Sequence, residues 1–217
     1  MKRSYCILLA NFILISSYAQ SETAGGDHYL FPEFTQGVVL LNNGKQDIKL
    51  LNYNALTEQL LFDSYGKILA VPKEQLERID TVFIKERRFV MLDNKFVELL
   101  HRSAWELYAE YKCDLKEQGK DAGYGGKSQT SAINTPSAVV LGENVYSLKL
   151  PEGFETRRYS FYWLGKDGGL KQIANIKQLK KLYKDKDDLF SDYVKIHDVE
   201  FGDQNGITKL IDHLESH

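Results

Sequence analysis

The chain has 217 residues, of which 43% are hydrophobic and 27% charged, and its formal net charge at pH 7 is −2. These proportions are typical of a globular protein and exclude a disordered, fibrous or collagen-like chain. The near-neutral charge gives no support to nucleic-acid binding, which a basic surface would indicate. With 13 tyrosines and 11 phenylalanines against two methionines, the composition favours β structure.

The N-terminus carries the pattern of a secretory signal peptide. A basic start, Lys2-Arg3, precedes an apolar run over residues 5–15, and Ser17 and Ala19 are small residues of the kind that signal peptidase requires. We predict that residues 1–19 are removed. The alternative, a membrane anchor, needs roughly 20 apolar residues, and this run is shorter.

Export has two consequences for the mature chain. Cys6 is lost with the signal peptide, so Cys113 is the only cysteine left and no internal disulfide is expected. The fold must therefore be stabilised by its core, and we predict no transmembrane segment after residue 19. The expected location is the periplasm or the cell surface.

The region from residue 34 to residue 174 has the pattern of an antiparallel sheet. A polar, glycine-containing stretch at residues 20–33 precedes it and is predicted to be a flexible lead-in. Short apolar runs then alternate with turn signals about every 8–12 residues, which is typical of a meander. Asn43-Gly44 is the clearest hairpin signal. The strands predicted up to residue 100 are 37–41, 47–53, 59–62, 67–71, 79–84, 88–92 and 95–100, with one helical turn at 73–76.

Residues 96–115 are compatible with a helix or a strand. Apolar side chains occupy every second position from residue 105 to residue 115, which favours a long strand after a turn near residues 101–103. The alternating apolar set is Trp105, Leu107, Ala109, Tyr111, Cys113 and Leu115. Later strands are predicted at 139–141, 145–150, 159–164 and 170–173.

Residues 116–137 have no apolar periodicity, and we predict a mobile loop there, with a binding role as the alternative. Gly126-Lys127-Ser128 is similar to part of a phosphate-binding loop. The full motif needs glycine at the position of Asp121, a buried strand before it and a helix after it. We therefore reject that interpretation.

After residue 174 the apolar period becomes helical. Asn175, Asp185 and Asp203 are predicted to cap three short helices. Residues 175–217 are too few to form a core of their own without a disulfide or a metal, so these helices must pack on the β region. Strands followed by helices predict an α+β fold: a mainly antiparallel, curved meander sheet, with a partial barrel as a variant, and short C-terminal helices packed on it.

Several segments together resemble a known family. They are Phe34-Thr35-Gln36-Gly37-Val38, Leu51-Asn52-Tyr53-Asn54, the run over residues 123–131 and the Lys/Asp-rich C-terminal helices. The combination is similar to a family of exported proteins from Bacteroidetes-type bacteria and covers most of the mature chain. Relatives tend to end in aromatic and Asn-rich helical tails, whereas this chain ends in Leu214-Glu215-Ser216-His217. The family has no assigned activity, so the resemblance implies export and no particular chemistry.

Candidate chemical residues are few, and each has a structural alternative. His213 and His217 have the spacing of a two-histidine metal site, but solvated terminal residues are the favoured interpretation. Cys113 could be a nucleophile, although a small buried side chain is more typical. The acidic run Asp185-Lys186-Asp187-Asp188 lacks the glycine and distal glutamate of a calcium loop. A basic stripe is predicted to be a solvated helix face; its members are Lys177, Lys180, Lys181 and Lys184. We predict no catalytic residue, no metal site and no cofactor.

The leading hypothesis is an exported non-enzymatic protein with an interaction or envelope-associated binding role, for which another envelope protein is the candidate partner. The alternatives are an envelope hydrolase, or a carrier of an apolar ligand inside the curved sheet, with a site lined by Trp105, Tyr111 and Phe161. An enzyme should show convergent polar side chains in a pocket, a carrier an apolar cavity, and a binding module an exposed aromatic patch. The ligand, the partner and the oligomeric state stay open at this point.

Overall fold

The structure, a computed structural model, describes residues 28–117, 121–122, 126–127, 138–141, 145–148, 154–166 and 168–217. The strands are β1 (Thr35–Leu41), β2 (Gln46–Asn54), β3 (Gln59–Ser64), β4 (Lys67–Ala70), β5 (Ile79–Ile84), β6 (Arg87–Leu92), β7 (Lys95–Arg102), β8 (Glu106–Glu117), β9 (Asp121–Ala122), β10 (Gly126–Lys127), β11 (Ala138–Leu141), β12 (Val145–Leu148), β13 (Phe154–Lys166) and β14 (Gly169–Ile173). The helices are α1 (Lys73–Leu76), α2 (Ile176–Leu182), α3 (Asp187–His197) and α4 (Gln204–Ser216), with a 3-10 turn at Lys184–Lys186.

Ten strands form one antiparallel sheet in the order β4-β3-β2-β1-β5-β6-β7-β8-β13-β14. The β11–β12 hairpin extends the β4 edge through the pairing of Val145 with Leu69, and β9 and β10 pair separately. The chain departs from a simple meander at β5, which returns past three strands to pair with β1. It departs again after β8, because β11 and β12 lie at the β4 edge before β13 pairs with β8. The predicted α+β fold is confirmed, and the sheet is not closed into a barrel.

The sheet is strongly curved. Strands β2 and β8 are five steps apart, so a flat sheet would separate them by about 24 Å. Yet Lys112 Nζ on β8 lies 2.7 Å from the Oε1 atom of Glu58, which directly precedes β3. Arg158 on β13 also reaches the backbone carbonyl of Leu30, whose N–H bonds the carbonyl of Tyr53 on β2 at 2.8 Å. The curvature therefore brings strands that are far apart in the sheet order, such as β2 and β13, into contact with the same segment, residues 28–31.

Residues 28–33 belong to the fold, so the prediction of a flexible lead-in over 20–33 is wrong for this part. Tyr29 forms a bridge with Asn54, and Phe31 is 4% exposed. The Phe31 N–H donates to Asn52 Oδ1 at 3.1 Å, and Asn52 Nδ2 donates to the Phe31 carbonyl at 2.9 Å. A buried asparagine thus satisfies both backbone groups of Phe31, which makes burial of the segment favourable. Residues 20–27 lie outside the described chain.

The main core lies between the C-terminal helices and one face of the sheet, which we call the inner face. Paired residues of neighbouring strands share a face. One inner-face row consists of Val39, Val82, Phe89, Glu98, Ala109 and Tyr162. Helix α4 buries Ile207, Leu210, Ile211 and Leu214 in the same cluster. The C-terminal helices therefore complete the core of the β region, as their length predicted.

Two of the three predicted helix caps are confirmed. Asn175 Oδ1 accepts from the Gln178 N–H at 3.0 Å, and Asp203 Oδ1 accepts from the Asn205 N–H at 3.0 Å. The third prediction is wrong, because Asp185 lies within the 3-10 turn and α3 begins at Asp187 without a side-chain cap. The 3-10 turn occupies residues 184–186, directly before the helix, so Asp185 is not at the position that caps α3.

The choice of strand over helix for residues 105–115 is confirmed by β8, which continues two residues into the predicted 116–137 loop. The strand is longer than predicted because its pairing with β13 continues to Glu117, which lies opposite Phe154. Apart from β9 and β10, the rest of that loop lies outside the described residues. Among the helices of the described chain, none has the length and apolar character needed to cross a membrane.

Candidate functional site

The three aromatic residues expected to line an internal site do not converge. Tyr111 lies on the inner face, whereas Phe161 pairs with Glu110 and therefore lies on the opposite face. Trp105 lies in the turn before β8, with its ring 6.2 Å from that of Tyr183. The predicted carrier site lined by these residues is therefore not formed.

The inner face carries a cluster of charged and polar side chains, which we call the interior charge cluster. Arg87 donates to both carboxylate oxygens of Glu98, from Nε at 2.8 Å and from Nη2 at 2.7 Å. The Tyr111 hydroxyl donates to Glu98 Oε2, and Gln204 of α4 donates to the same oxygen from Nε2 at 3.2 Å. Because Glu98 is 5% exposed, these donors compensate for the loss of its hydration.

Aromatic rings enclose the arginine of this cluster. The Arg87 guanidinium carbon lies 5.0 Å from the ring centroid of Phe31, 5.3 Å from that of Phe89 and 5.0 Å from that of Tyr111, within the range of cation–π attraction. Burial acts to lower the pKa of Arg87, but the hydrogen-bonded Glu98 carboxylate outweighs it and raises the pKa. Burial, together with the charge of Glu98, raises the pKa of Tyr111 above its ordinary value. Every charge of the cluster is paired, so its geometry supports stability rather than proton transfer.

A second buried carboxylate, Glu110, lies on the opposite face. It accepts from Lys95 Nζ at 2.9 Å and from Trp163 Nε1 at 2.8 Å, and Lys112 Nζ lies 3.2 Å away. Burial acts to raise the pKa of Glu110, but these donors outweigh it and the pKa is lowered. Glu110 is thus held ionised as an acceptor for three neighbours.

A cleft opens on the inner face under α1, at a part of the sheet that the C-terminal helices leave uncovered. We call it the inner cleft, and its volume is about 300 Å³. Its apolar walls are Val39, Leu41, Leu51, Phe62, Val71 and Ile79. Asp47, Lys49 and Arg78 form a polar rim, and in the described chain neither cation has a carboxylate within ion-pair distance. Apolar walls with a few polar groups are typical of a small-molecule site.

Strand β13 is paired unequally on its two sides. It pairs with β8 from Phe154 to Gly165, but with β14 only from Tyr162 to Lys166. On the β14 side, no described strand pairs with residues 156–161, which we call the open edge. The chain leaves the sheet after Ile173, so β14 stops short of these residues.

A second cleft, of about 460 Å³, lies along the open edge and is called the edge cleft. On the inner face it is lined by Tyr111 of β8 and by Ser160 and Tyr162 of β13. Tyr159 borders it from the opposite face, so the cleft lies over the inner face and reaches the edge of β13. Phe201 and Gly202, from the loop between α3 and α4, form another wall.

Arg158 carries a positive charge into the edge cleft. Its Nη1 atom donates to the backbone carbonyls of Tyr29 and Leu30 at 2.9 and 3.3 Å. These acceptors are neutral, and no carboxylate of the described chain forms an ion pair with Arg158. The remaining guanidinium hydrogens can therefore serve an anionic ligand.

The opposite face of the sheet has exposed apolar side chains at one end. Ile48 and Phe83, 64% and 38% exposed, both pair with Val38, so the three form a stripe across β2, β1 and β5. A stripe of this kind is one feature of an interaction surface.

The other candidates from the sequence do not assemble into a chemical site. Cys113 is a buried member of the core. The rings of His213 and His217 are 4.5 Å apart, and His217 Nδ1 lies 2.9 Å from the His213 carbonyl. Over the described ranges, no three His, Cys, Asp or Glu side chains are placed to hold a metal ion. The segment around Ser128 lies partly outside those ranges, and its side chains are not described.

Sequence reasoning missed the residues that shape the clusters and clefts. Arg87 and Glu98 belong to different strands, and Gln204 is more than a hundred positions away in α4. Arg158 lies just before the predicted strand 159–164, and no pattern in the sequence marks it as part of a site. The one available signal was Glu98, an acidic residue within the apolar run of residues 96–100.

Comparisons of the chain with protein-family models, with curated proteins and with solved structures found no match. The resemblance to exported proteins of Bacteroidetes-type bacteria stays a prediction.

Proposed function

We propose that the protein is an exported, envelope-associated binding protein whose inner cleft takes a small molecule with an apolar body and an anionic group. The observation that supports this most directly is the combination of apolar walls with Lys49 and Arg78 at the rim, two cations that form no ion pair with a carboxylate among the described residues. Asp47 is the one carboxylate among the described residues that line the cleft, so this rim has an excess of positive charge. The volume, about 300 Å³, lies at the lower end of the range for ligand pockets.

The wall chemistry indicates how such a ligand would bind. Leu51 is 1% exposed and Ile79 is 7% exposed, so the walls of the cleft are continuous with the packed core. An apolar body placed against them would gain roughly 25 cal/mol for each Å² removed from water. The cations would then select ligands with a negative group and orient them toward the rim.

Titration with 1-anilinonaphthalene-8-sulfonate, which has an apolar ring system and one sulfonate, tests this proposal. We expect saturable binding at one site per chain and competition by a short fatty acid. The Leu41→Trp change should fill the cleft and abolish binding. The double change Lys49→Gln and Arg78→Gln should weaken it by about tenfold, as expected for the loss of charge-assisted contacts.

Lys45 provides a matched control, because it is an exposed lysine in the turn before β2 and does not line the cleft. Lys45→Gln should bind the dye like the unchanged protein. Urea unfolding of every variant separates a lost site from a lost fold. Dye binding that is unsaturable, or equal in Leu41→Trp and the unchanged protein, would exclude the inner cleft as the site.

The export part of the proposal is supported by the N-terminal sequence pattern. It predicts that protein recovered from the cell envelope lacks residues 1–19. Intact mass spectrometry of that fraction measures this directly, and a mass that includes Met1 to Ala19 would contradict it.

A further inference from the structure

We propose that the open edge of β13 and the edge cleft together bind an extended, acidic segment of a partner protein, which joins the sheet as an additional strand. This interaction is independent of the small-molecule site proposed above, because the two clefts share no lining residue.

The backbone of the open edge determines the shape of the occupant. Residues 156–161 are held in extended conformation by unbroken pairing with β8, from Thr156 opposite Leu115 to Phe161 opposite Glu110. Their outward N–H and C=O groups form a row at which an extended chain can pair. The row contains no proline and no register shift, two devices that commonly prevent such pairing.

The edge cleft supplies what a bare strand edge lacks, which is a place for a side chain. The contacting rings of Tyr162 and Phe201, with centroids 5.2 Å apart and nearly perpendicular, form one wall of the cleft. A strand laid along residues 156–161 passes beside this cleft. One apolar side chain of the added strand can enter there. Backbone pairing with one side chain held in a pocket is a known mode of peptide recognition.

Charge decides which extended segment fits. Arg157 and Arg158 are exposed on the edge, and within the described part of the chain Arg158 is bonded only to neutral carbonyls. A carboxylate on the added strand would satisfy the remaining hydrogens of the Arg158 guanidinium. A second copy of this edge fits poorly, because it would bring four arginines onto one short ladder, and like charges across a ladder are destabilising.

The probe for the test is a blocked, fluorescein-labelled peptide of alternating valine and glutamate, about eight residues long to match the open edge at about 3.3 Å per residue. Binding to the mature chain is measured by fluorescence anisotropy. We expect saturable binding in the micromolar range and at least about tenfold weaker binding of the corresponding valine–lysine peptide. Two further peptides carry N-methyl groups on alternate backbone nitrogens, one on the odd-numbered and one on the even-numbered residues. One of them should lose binding, because its methyl groups replace the N–H groups that pair with the edge.

Two variants locate the site. Arg158→Gln should weaken binding of the acidic peptide by about tenfold. Gly202→Leu should block the cleft without disturbing the fold, because a Cβ atom at Gly202 meets no atom within 4 Å. Arg102→Gln is the control, since Arg102 is an exposed arginine on β7 away from the edge.

The proposal is overturned if the acidic peptide does not bind. It is also overturned if both N-methylated peptides bind with unchanged affinity, or if Gly202→Leu binds like the unchanged protein. A dimer detected by size-exclusion chromatography that dissociates in Arg158→Glu or in Gly202→Leu would assign the edge to a second copy and overturn the acidic partner.

Discussion

Glu98 is the residue on which the interior charge cluster depends, because it accepts hydrogen bonds from a strand neighbour, a facing tyrosine and a helix residue. Its carboxylate is compensated by the bidentate contact with Arg87, and each ion would be costly to bury alone. The cluster therefore connects β6, β7, β8 and α4 through one side chain.

Replacing Glu98 by glutamine should destabilise the protein, because Arg87 would keep its charge without a counter-ion. Loss of one partner from a fully buried pair costs about 3–5 kcal/mol. Because the Arg87 side chain retains 28% exposure, we expect about 2–3 kcal/mol. Urea unfolding measures this change in the free energy of unfolding.

Arg102→Gln serves as the comparison for Glu98→Gln. The Arg102–Glu106 contact is also an arginine–carboxylate pair, at 2.6 Å, but the Arg102 side chain is 61% exposed. Solvent screens such a pair, so its loss should cost less than about 1 kcal/mol. Equal costs for the two variants would show that burial of the Glu98 pair has no energetic consequence.

The buried tyrosines predict a loss of stability at alkaline pH. Burial raises the pKa of Tyr53, Tyr111 and Tyr183, and nearby glutamates raise it further. In the unfolded chain the same groups ionise near their ordinary pKa of about 10. Above that pH the unfolded chain releases protons that the folded chain retains, so the free energy of unfolding should fall as pH rises past about 10.

Urea unfolding at a series of pH values between about 8 and 11 tests this expectation. Tyr111→Phe should show a shallower decline, because it removes one of the groups with a raised pKa. A free energy of unfolding that is constant over this range, or a slope unchanged in Tyr111→Phe, would contradict the assignment.

At the scale of elements, α4 is amphipathic and its apolar side enters the core. Leu210 and Ile211 are fully buried, whereas Ile196 on α3 is 75% exposed. Phe190 of α3 is buried in the same core, and Ile196 lies on the side of α3 that no described element covers. An apolar residue in a helix is therefore buried only where tertiary contacts cover its side.

We expect Leu210→Ala to cost about 2–5 kcal/mol, the range for removing a buried leucine side chain and leaving a cavity. Ile196→Ala makes a similar chemical change at an exposed position and should alter stability by less than about 0.5 kcal/mol. Thermal or urea unfolding of both variants compares them directly. Similar stability of the two would show that α4 does not pack as the structure indicates.

The strand β8 illustrates how far local pattern determines an element. The alternation from Trp105 to Leu115 correctly excluded a helix, but both faces of β8 prove to be buried near its centre. Ala109 is fully buried on one face and Glu110 is 2% exposed on the other. The polar residue of an alternating pattern is therefore covered here, because a tryptophan and two lysines satisfy it.

At the scale of the molecule, the sheet and the C-terminal helices form one unit. Strand residues such as Val82 and Leu107 belong to the same buried cluster as Phe190 and Leu214 of the helices. The curved sheet would expose much of its inner face without them.

Truncation after Ala174 should therefore give an unstable or aggregating fragment. It removes the buried residues of three helices, and burial of each large apolar side chain contributes roughly 1.5–3 kcal/mol. Their summed contribution is a large share of a typical free energy of unfolding, about 5–15 kcal/mol. Thermal unfolding and size-exclusion chromatography compare the fragment with the mature chain. A fragment that is monomeric and unfolds at the same temperature would show that the helices are a separate arm.

Most strands and turns and two helix caps could be predicted from the sequence, because they depend on neighbours within a few positions. Turn residues such as Asn43-Gly44 and side-chain caps such as Asn175 act locally. The strand-then-helix order also determined the α+β class, since helices this short require a sheet to cover them. The sequence by itself determined these features, whereas the N-terminal signal peptide stays a prediction.

Only the tertiary structure decided which face each strand buries and where the clefts lie. The pattern Asp47-Ile48-Lys49-Leu50 suggests that the two apolar residues face the core, yet Ile48 and Leu50 are 64% and 43% exposed. The pairing of Leu51 with Thr35 instead sets Leu51 and Tyr53 inward, and Lys49 with them, at the rim of the inner cleft. Pairing register and sheet curvature join residues far apart in the chain, and no local pattern contains that information.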